Sequence, residues 1–216
     1  MSGTADILVI GGGIAGIGAA ALAAEDAAVI VLEAEPGVGR HATGRSAAAF
    51  IRNYGNATLR ALNAAAWPVF ADPGELSDQP LVAPRGVLLV AAADELDALD
   101  AELEGADGMV RVDTETALRL APILRPEAAL AGAWEADAQD IDVDLLLQGY
   151  VRLLRRRGGR IVSDARVEGL ARDGGIWRVE TPAGAFSAPV VVDAAGAWAD
   201  VVAERAGLAP LGLVPK

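Results

Sequence analysis

The sequence contains no cysteine and only one histidine in 216 residues, which excludes several common kinds of chemistry. Without cysteine there can be no disulfide, no thiolate metal site and no cysteine nucleophile. With His41 as the single histidine, a zinc site or a histidine-dependent triad is not expected, and we predict no metal site. We therefore expect any chemistry to come from a bound cofactor.

Positive charge is also scarce. Thirty acidic residues against eighteen basic ones give a net charge of -12, which argues against binding nucleic acid or an anionic membrane through bulk electrostatics. The apolar run near the N-terminus follows no basic leader and stops at glycines, far short of a membrane-spanning length. We therefore predict no membrane insertion and a cytoplasmic location.

Residues 6–33 carry the clearest local pattern. Residues 6–10 and 29–32 are short aliphatic runs, and the small residues 14–24 between them favour a helix. The order strand, helix, strand predicts an α/β fold with a parallel sheet. A hydrophobic content of 53% is enough for a sizeable core.

Three glycines, Gly11, Gly13 and Gly16, form G-x-G-x-x-G directly after the first of these strands. In this position the first allows a tight turn, the second lets a pyrophosphate approach the backbone, and the third lets helix and strand pack. Glu33 closes the second strand at the distance of ~20 residues where an acid binds a ribose hydroxyl and repels a 2′-phosphate. The motif predicts FAD or NAD and disfavours NADP.

The stretch GRHATGRSAAAF, residues 39–50, helps to separate these two cofactors. An NAD domain is expected to continue with further βαβ units. This chain has instead small residues, hydroxyl groups and the cations Arg40 and Arg45, whose donors can bind phosphate or the edge of a reduced flavin. A second nucleotide contact is predicted at PVVVDAAGAW, residues 189–198, although a buried strand with a glycine turn explains the same pattern.

Between about residues 72 and 142 the glycine-rich pattern is lost, which predicts an inserted lobe. Before it, Asn56 is expected to cap a helix that Pro68 bends or ends. Inside it, residues 84–91 are expected to form one buried strand. After it, residues 142–157 predict an amphipathic helix, which two β ribbons follow.

A family resemblance rests on DILVIGGGIAGIGAA with VLEAE, on PGVGRHATGRSAAAF with NYG, on DIDVDLLLQGYVRLLRRRGG, on RVEGL, and on VVVDAAGAWAD with PLGLVPK. In these segments the chain resembles the N-terminal part of the D-amino acid oxidase superfamily of FAD-dependent oxidoreductases. It is most similar to bacterial D-amino acid dehydrogenases of the D-arginine type. The resemblance implies a Rossmann-type FAD-binding domain with a glutathione-reductase-like βαβ unit, residues 1–75 and 142–216. Residues 76–141 would belong to an inserted α+β substrate lobe, and the C-terminal half would be missing.

The resemblance also implies roles toward FAD. The pyrophosphate would be held by Gly11, Gly13, Ile14, Ala15 and Gly16, and the adenosine by Glu33, Ala34 and the backbone of Val167. The pyrophosphate and isoalloxazine edges would meet Arg40, His41, Thr43, Gly44, Arg45, Ser46, Ala47 and Ala48, and the cofactor would be lined by Ala195, Gly196 and Trp198. For His41, a solvent-facing or structurally bonded ring is favoured over proton transfer.

The implied substrate pocket departs from relatives that prefer basic D-amino acids. Where those relatives carry a histidine, a threonine and a nearby glutamate, this chain has Ala49, Ile51 and Val87, while Tyr54 matches and is the candidate catalytic residue at the substrate mouth. A buried cationic side chain without an acidic partner is costly. We therefore expect an apolar or uncharged substrate.

The implied activity is oxidation of a D-amino acid or related amine by hydride transfer to flavin N5, giving an imino acid and then a keto acid. A FAD-dependent 2-hydroxy acid or glycerol phosphate dehydrogenase is the nearest alternative. A third reading is an inactive nucleotide-binding fragment of a larger assembly, with a companion chain that carries the C-terminal half. The electron acceptor is left open by the sequence.

Overall fold

A computed structural model describes residues 2–213, and within them the chain forms fourteen β-strands and six α-helices. The strands are β1 (Gly3–Thr4), β2 (Ile7–Ile10), β3 (Val29–Leu32), β4 (Ala49–Phe50), β5 (Val82–Pro84), β6 (Val87–Ala91), β7 (Met109–Asp113), β8 (Ala131–Glu135), β9 (Gln139–Ile141), β10 (Arg160–Val162), β11 (Gly169–Asp173), β12 (Ile176–Thr181), β13 (Gly184–Ala188) and β14 (Val190–Asp193). The helices are α1 (Ile14–Ala23), α2 (Ala57–Ala71), α3 (Leu96–Leu103), α4 (Thr114–Leu120), α5 (Val143–Arg156) and α6 (Ala199–Arg205).

The described residues divide into two compact units. The first comprises residues 2–46, Glu75–Asp78 and 143–213, and the second comprises Ala47–Gly74 and Gln79–Asp142. The predicted assignment of residues 1–75 and 142–216 to FAD and of residues 76–141 to substrate stays a prediction.

The first unit contains a parallel sheet with the strand order β10-β3-β2-β14. β3 is buried along its whole length, and in β2 only Ile7 is not fully buried. Because both faces of these central strands are covered, their sequences, ILVI and VIVL, are aliphatic throughout. The predicted α/β class is confirmed, and the carboxyl ends of β2, β3 and β14 meet at one edge of the sheet.

Helices α1 and α5 pack against each other in this unit. Small residues let α1 lie close to its neighbours, and a β-carbon added at Gly18 would lie 3.9 Å from the ring of Tyr150. At the end of α5, Arg157 donates to the carbonyl of Ala21 at 2.9 Å and pairs with Glu25 at 3.0 Å. The helix predicted over residues 142–157 is confirmed, and its last arginine contacts the end of α1.

A second sheet of the first unit has the order β1-β13-β12-β11, in which only the β1–β13 pairing is parallel. Its apolar face shares a core with the parallel sheet, where Leu8, Val179 and Phe186 are essentially inaccessible to solvent. The predicted ribbons after α5 are therefore part of a sheet that supports the parallel one.

The second unit contains two antiparallel three-stranded sheets, β4-β9-β5 and β6-β8-β7. The expectation of one strand over residues 84–91 is wrong, because β5 and β6 are separate strands of different sheets. Gly86 between them has φ +75°, and a β-carbon there would lie 2.0 Å from the ring of Trp134. The positive φ and the close approach of that indole both require glycine at this turn.

Helix α2 begins as expected, since the side chain of Asn56 accepts the amide of Leu59 at 3.1 Å. It continues through Pro68 to Ala71, so the proline does not end the helix, and the alternative that it bends the helix stays a prediction. The proline lies in the last turn, so its missing N–H removes one hydrogen bond at the end of a long helix.

Candidate functional site

The glycine motif forms the turn between β2 and α1. Gly11 has φ +110°, and a β-carbon there would lie 2.3 Å from the carbonyl oxygen of Ala194. A β-carbon at Gly16 would lie 2.0 Å from the carbonyl oxygen of Gly11. Backbone therefore approaches backbone at both positions, and only glycine allows it.

Glu33 follows β3 beside this turn, and its side chain is buried. One carboxylate oxygen, Oε2, accepts the amide of Gly12 at 2.6 Å, and the other, Oε1, accepts the amide of Glu35 at 2.8 Å. An ionised carboxylate offers about four acceptor positions, so each oxygen keeps capacity for a ribose hydroxyl. The acid fits the sugar of a dinucleotide, and two backbone donors fix its orientation.

Residues 39–43 lie against the glycine turn. The amide of Gly39 donates to the carbonyl of Gly12 at 3.0 Å, and the amide of Ile14 donates to Thr43 Oγ1 at 3.0 Å. The first residues of the predicted segment are thus brought to the N-terminus of α1, where the helix dipole favours a phosphate. Arg40, Gly44, Arg45 and Ser46 are exposed beyond it, as is Ala15 on α1, while Ala34 is half-buried.

His41 has two partners in the first unit. Its ring lies 4.5 Å from that of Trp198, centroid to centroid, and its Nε2 lies 3.2 Å from Glu35 Oε1. Arg166 also approaches Glu35, at 3.7 Å. These contacts join the segments of His41 and Trp198, which the sequence assigns to one cofactor. Glu35 and Arg166 were not foreseen, since nothing in their spacing marks them.

The segment after β14 begins with a polar turn. The carboxylate of Asp193 accepts the amide of Ala195 at 3.0 Å, and a short 3-10 helix, Gly196–Trp198, follows. Burial raises the pKa of Asp193, the bond from Ala195 opposes the rise, and the nearby charge of Asp200 adds to it. Gly196 has φ +56°, so the turn predicted from the sequence is present.

Val167 is buried at the edge of this unit, and its carbonyl oxygen accepts a hydrogen bond from the guanidinium of Arg205. This bond uses one acceptor position of the backbone that is predicted to contact the adenine. The carbonyl has a second lone pair and the residue a backbone amide, so the predicted contact is compatible with Arg205.

The last residues of the predicted cofactor segment fall in the second unit. The carbonyl of Ala47 accepts Arg85 Nη1 at 3.4 Å, and that of Ala48 accepts the amide of Ile141 at 2.6 Å. Ala48 has φ +57°, which is unusual for a residue with a side chain and is found most often at functional positions.

A pocket of about 490 Å³ lies within the second unit. Most of its lining is aliphatic and comes from β6 and α3, and three residues of the predicted substrate site, Ile51, Tyr54 and Val87, line it together. Ala49, the fourth, instead pairs with Asp140 between β4 and β9. Asn53 also lines the pocket; it belongs to the NYG segment of the resemblance, but no role was predicted for it.

Among residues 2–213 no group of three or more acidic or histidine side chains could hold a metal ion. No helix in the same part of the chain is long and apolar enough to cross a membrane.

The glycine turn, the acid after β3 and the helix that opens toward the turn define a dinucleotide-binding α/β domain of the Rossmann type. The chain belongs to the DAO family, described as FAD dependent oxidoreductase, whose family model matches residues 6–215. FAD, the predicted cofactor, is confirmed by this membership, and the residues around the turn fit its ribose and pyrophosphate.

This chain matches only part of the length of each relative. Human mitochondrial dimethylglycine dehydrogenase is 34% identical over 98 residues, which are 45% of this chain and 11% of that protein. The solved structure of dithionite-reduced L-α-glycerophosphate oxidase from Mycoplasma pneumoniae with FAD bound has a TM-score of 0.82 at 20% identity, over 94% of this chain and 57% of that one. Glycine oxidase from Geobacillus kaustophilus has a TM-score of 0.82 at 21% identity, over 95% and 59%. These structures confirm the predicted fold, and the chain spans little more than half of their length.

Proposed function

We propose that this chain binds FAD and takes part in oxidising a D-amino acid or related amine with an apolar or uncharged side chain. The predicted FAD-binding domain, residues 1–75 and 142–216, would bind the cofactor, and residues 76–141 would contribute to the substrate site. Oxidation of the amine to an imine, with hydride transfer to flavin N5, is the chemistry that the cofactor supplies when bound. The chain's own groups bind and orient: Glu33 accepts from a ribose, the N-terminus of α1 faces the pyrophosphate, and Tyr54 borders the substrate pocket.

The proposed substrate class rests on the pocket of the second unit. Its lining is mainly aliphatic, and no lysine or arginine is among the described residues that form it. We therefore assign it to the side chain of the substrate and not to a carboxylate or phosphate, which would need a cationic partner. Glycerol phosphate has no apolar group to fill such a pocket, and an amine with a hydrocarbon side chain does.

Two acidic residues at the pocket bear on whether it binds the guanidinium of D-arginine. Glu95 and Glu102 are among the lining residues. Glu95 accepts the amide of Ala92 at 3.0 Å, and Glu102 pairs with Arg60 at 3.6 Å. Both acids already have partners within the protein, and the aliphatic Val87 stands in the same wall. These contacts support a neutral side chain over a guanidinium.

A substrate screen tests the proposal. The FAD-loaded protein is assayed with an artificial electron acceptor on D-leucine, D-methionine, D-arginine, D-lactate and glycerol 3-phosphate, with L-leucine as the matched control. We expect the highest kcat/KM on D-leucine or D-methionine. A preference for D-arginine would overturn the neutral side chain, and turnover of D-lactate or glycerol 3-phosphate alone would overturn the amine.

The coverage of the solved relatives favours a second candidate: the chain binds FAD but needs a companion polypeptide for activity. An absorbance spectrum, followed by denaturation and mass analysis of the released cofactor and polypeptides, separates the two. A yellow protein that holds FAD, contains one polypeptide and turns over nothing supports this candidate. A cytoplasmic location belongs to the same proposal.

A further inference from the structure

Glu135 is a buried carboxylate for which the site above has no use. It ends β8 and is 1% exposed. Its Oε1 accepts the amide of Arg52 at 2.8 Å, and its Oε2 accepts the side-chain amide of Asn53 at 2.8 Å. Both of these donors are uncharged. Burying a carboxylate is costly unless its oxygens are well bonded, so a glutamate at this position indicates a specific role.

Asn53 completes the network and is itself 4% exposed. Its Nδ2 also donates to the carbonyl of Asp107 at 2.9 Å, and its Oδ1 accepts the amide of Asp107 at 2.9 Å. These bonds fix which end of the Asn53 side-chain amide carries the nitrogen. In a flipped amide, the NH2 group would face the backbone amide of Asp107 and the oxygen would face its carbonyl. The nitrogen must then face residue 135, and a carboxylate is the partner that accepts there.

The two residues held by Glu135 lie between two that line the pocket. Ile51 precedes them and Tyr54 follows them, and Asn53 itself is part of the lining. The carbonyl of Ile51 accepts the amide of Tyr54 at 3.2 Å and the side chain of Asn63 at 3.0 Å, so residues 51–54 form one tight turn. Tyr54 is 67% exposed, so the direction of its side chain depends on the backbone of this turn.

We propose that Glu135 is a positioning residue for the pocket. Through Asn53 and the amide of Arg52 it fixes residues 51–54, and it thereby sets which side chains the pocket accepts. The effect on side-chain preference rests on the proposed function, whereas the effect on the turn does not.

Replacement by Glu135→Gln tests the turn in the FAD-loaded protein. Glutamine has the same shape, but its NH2 group must face either the amide of Arg52 or that of Asn53, donor against donor. We expect amide hydrogen exchange of residues 51–55 to become about tenfold faster, while exchange in β7 and β8 does not change. The control is Arg52→Ala, which removes the exposed guanidinium pair with Asp107 and keeps the backbone amide.

Kinetics separate positioning from general stability. With Glu135→Gln, kcat/KM for D-leucine should fall by about tenfold through KM, and that for D-alanine should change less, because alanine reaches fewer pocket residues. An equal loss of kcat for both substrates, faster exchange throughout the second unit, or unchanged exchange of residues 51–55 each overturns the inference.

A second variant covers the case in which Glu135→Gln does not fold. Glu135→Asp keeps the charge but is one methylene shorter, so it cannot reach both donors as well. Faster exchange confined to residues 51–55 supports the inference, and no local change overturns it. If exchange changes locally while the wild-type protein oxidises no amine, the proposed function fails and the positioning of the turn stands.

Discussion

At Glu33 a single buried side chain bonds to two segments of the backbone, and the same side chain is predicted to bind the ribose. Its two oxygens accept the amides of Gly12 and Glu35, which lie on either side of it in space. The sequence predicts this acid from its distance to the glycines. It does not predict the two bonds within the protein, because they depend on how the chain after β3 turns back.

Replacing this acid by Glu33→Gln should destabilise the protein even without cofactor. The new NH2 group must oppose the amide of Gly12 or of Glu35 in a buried site, which costs about 1–3 kcal/mol. Urea denaturation of the FAD-free protein measures the loss. The control, Glu127→Gln, changes an exposed acid in a weak pair at 3.8 Å and should stay within about 0.5 kcal/mol. An unchanged unfolding midpoint for Glu33→Gln would contradict the role of these bonds.

Asp193 makes a prediction about pH. Because burial raises its pKa in the folded protein, the folded state holds this proton more tightly than the unfolded chain, and stability falls as pH rises through the raised value. Asp193→Asn keeps an acceptor for Ala195 but carries no charge. We expect a gain in unfolding free energy at neutral pH, below about 1 kcal/mol because the group is partly solvated, and no gain near about pH 3. Urea denaturation at both pH values tests it, and a loss at neutral pH would contradict it.

The network of Asn53 and Glu135 marks the limit of prediction for single residues. The two are 82 positions apart, and although Asn53 belongs to the NYG segment of the resemblance, nothing in the sequence links it to Glu135. Glu135 ends an otherwise apolar strand, AGAWE, which could have drawn attention to it. Its partner could not be named, since pairing across such a separation is decided by the fold.

At the scale of elements, helix α1 offers a matched pair of glycines. Gly16→Ala would place a β-carbon 2.0 Å from the carbonyl of Gly11, whereas at Gly18 the nearest atom is the ring of Tyr150 at 3.9 Å. We expect Gly16→Ala to cost about 1–3 kcal/mol and to weaken FAD binding, because the helix must move away from the turn. Gly18→Ala should stabilise by about 0.4–1 kcal/mol. Urea denaturation and FAD titration measure both, and changes of the same sign would contradict the packing argument.

Elements with a strong local pattern were predicted well. The aliphatic β2 and β3, the capped start of α2 and the amphipathic α5 follow from the residues themselves. Residues 84–91 were not predicted correctly, because β5 pairs with β9 whereas β6 pairs with β8, and such pairings between distant positions are decided by the fold. The sequence also did not predict that α2 continues through Pro68, because this depends on where the helix ends.

At the scale of the whole molecule, FAD should stabilise one unit more than the other. At about 100 times its Kd, a ligand that binds only the folded state adds about 2.7 kcal/mol. We expect hydrogen exchange to slow around residues 11–16, 33–35 and 195–198 more than in the sheet β6-β8-β7. NADP is the control, because Glu33 disfavours its 2′-phosphate. Equal protection of both units, or equal protection by NADP, would contradict the assignment of FAD to the first unit.

The two units differ in how far the sequence predicts them. In the first, a local motif and buried strands were enough for the fold, and the structure brings the glycine turn, Glu33 and residues 39–43 together. In the second, the sequence indicated an inserted lobe, the capped start of α2 and a strand over residues 84–91, but not how the strands pair. Its pocket is formed by residues 51–55, β6 and α3. These segments have no shared periodicity, so the sequence predicted only Ile51, Tyr54 and Val87 among the lining residues.

The bonds that hold Glu33 in place also bear on how quickly FAD is captured. Since the acceptor for the ribose is oriented by the protein's own amides, no slow rearrangement of this group has to precede or follow the encounter. In a stopped-flow experiment the observed association rate should rise in proportion to the FAD concentration, without reaching a plateau.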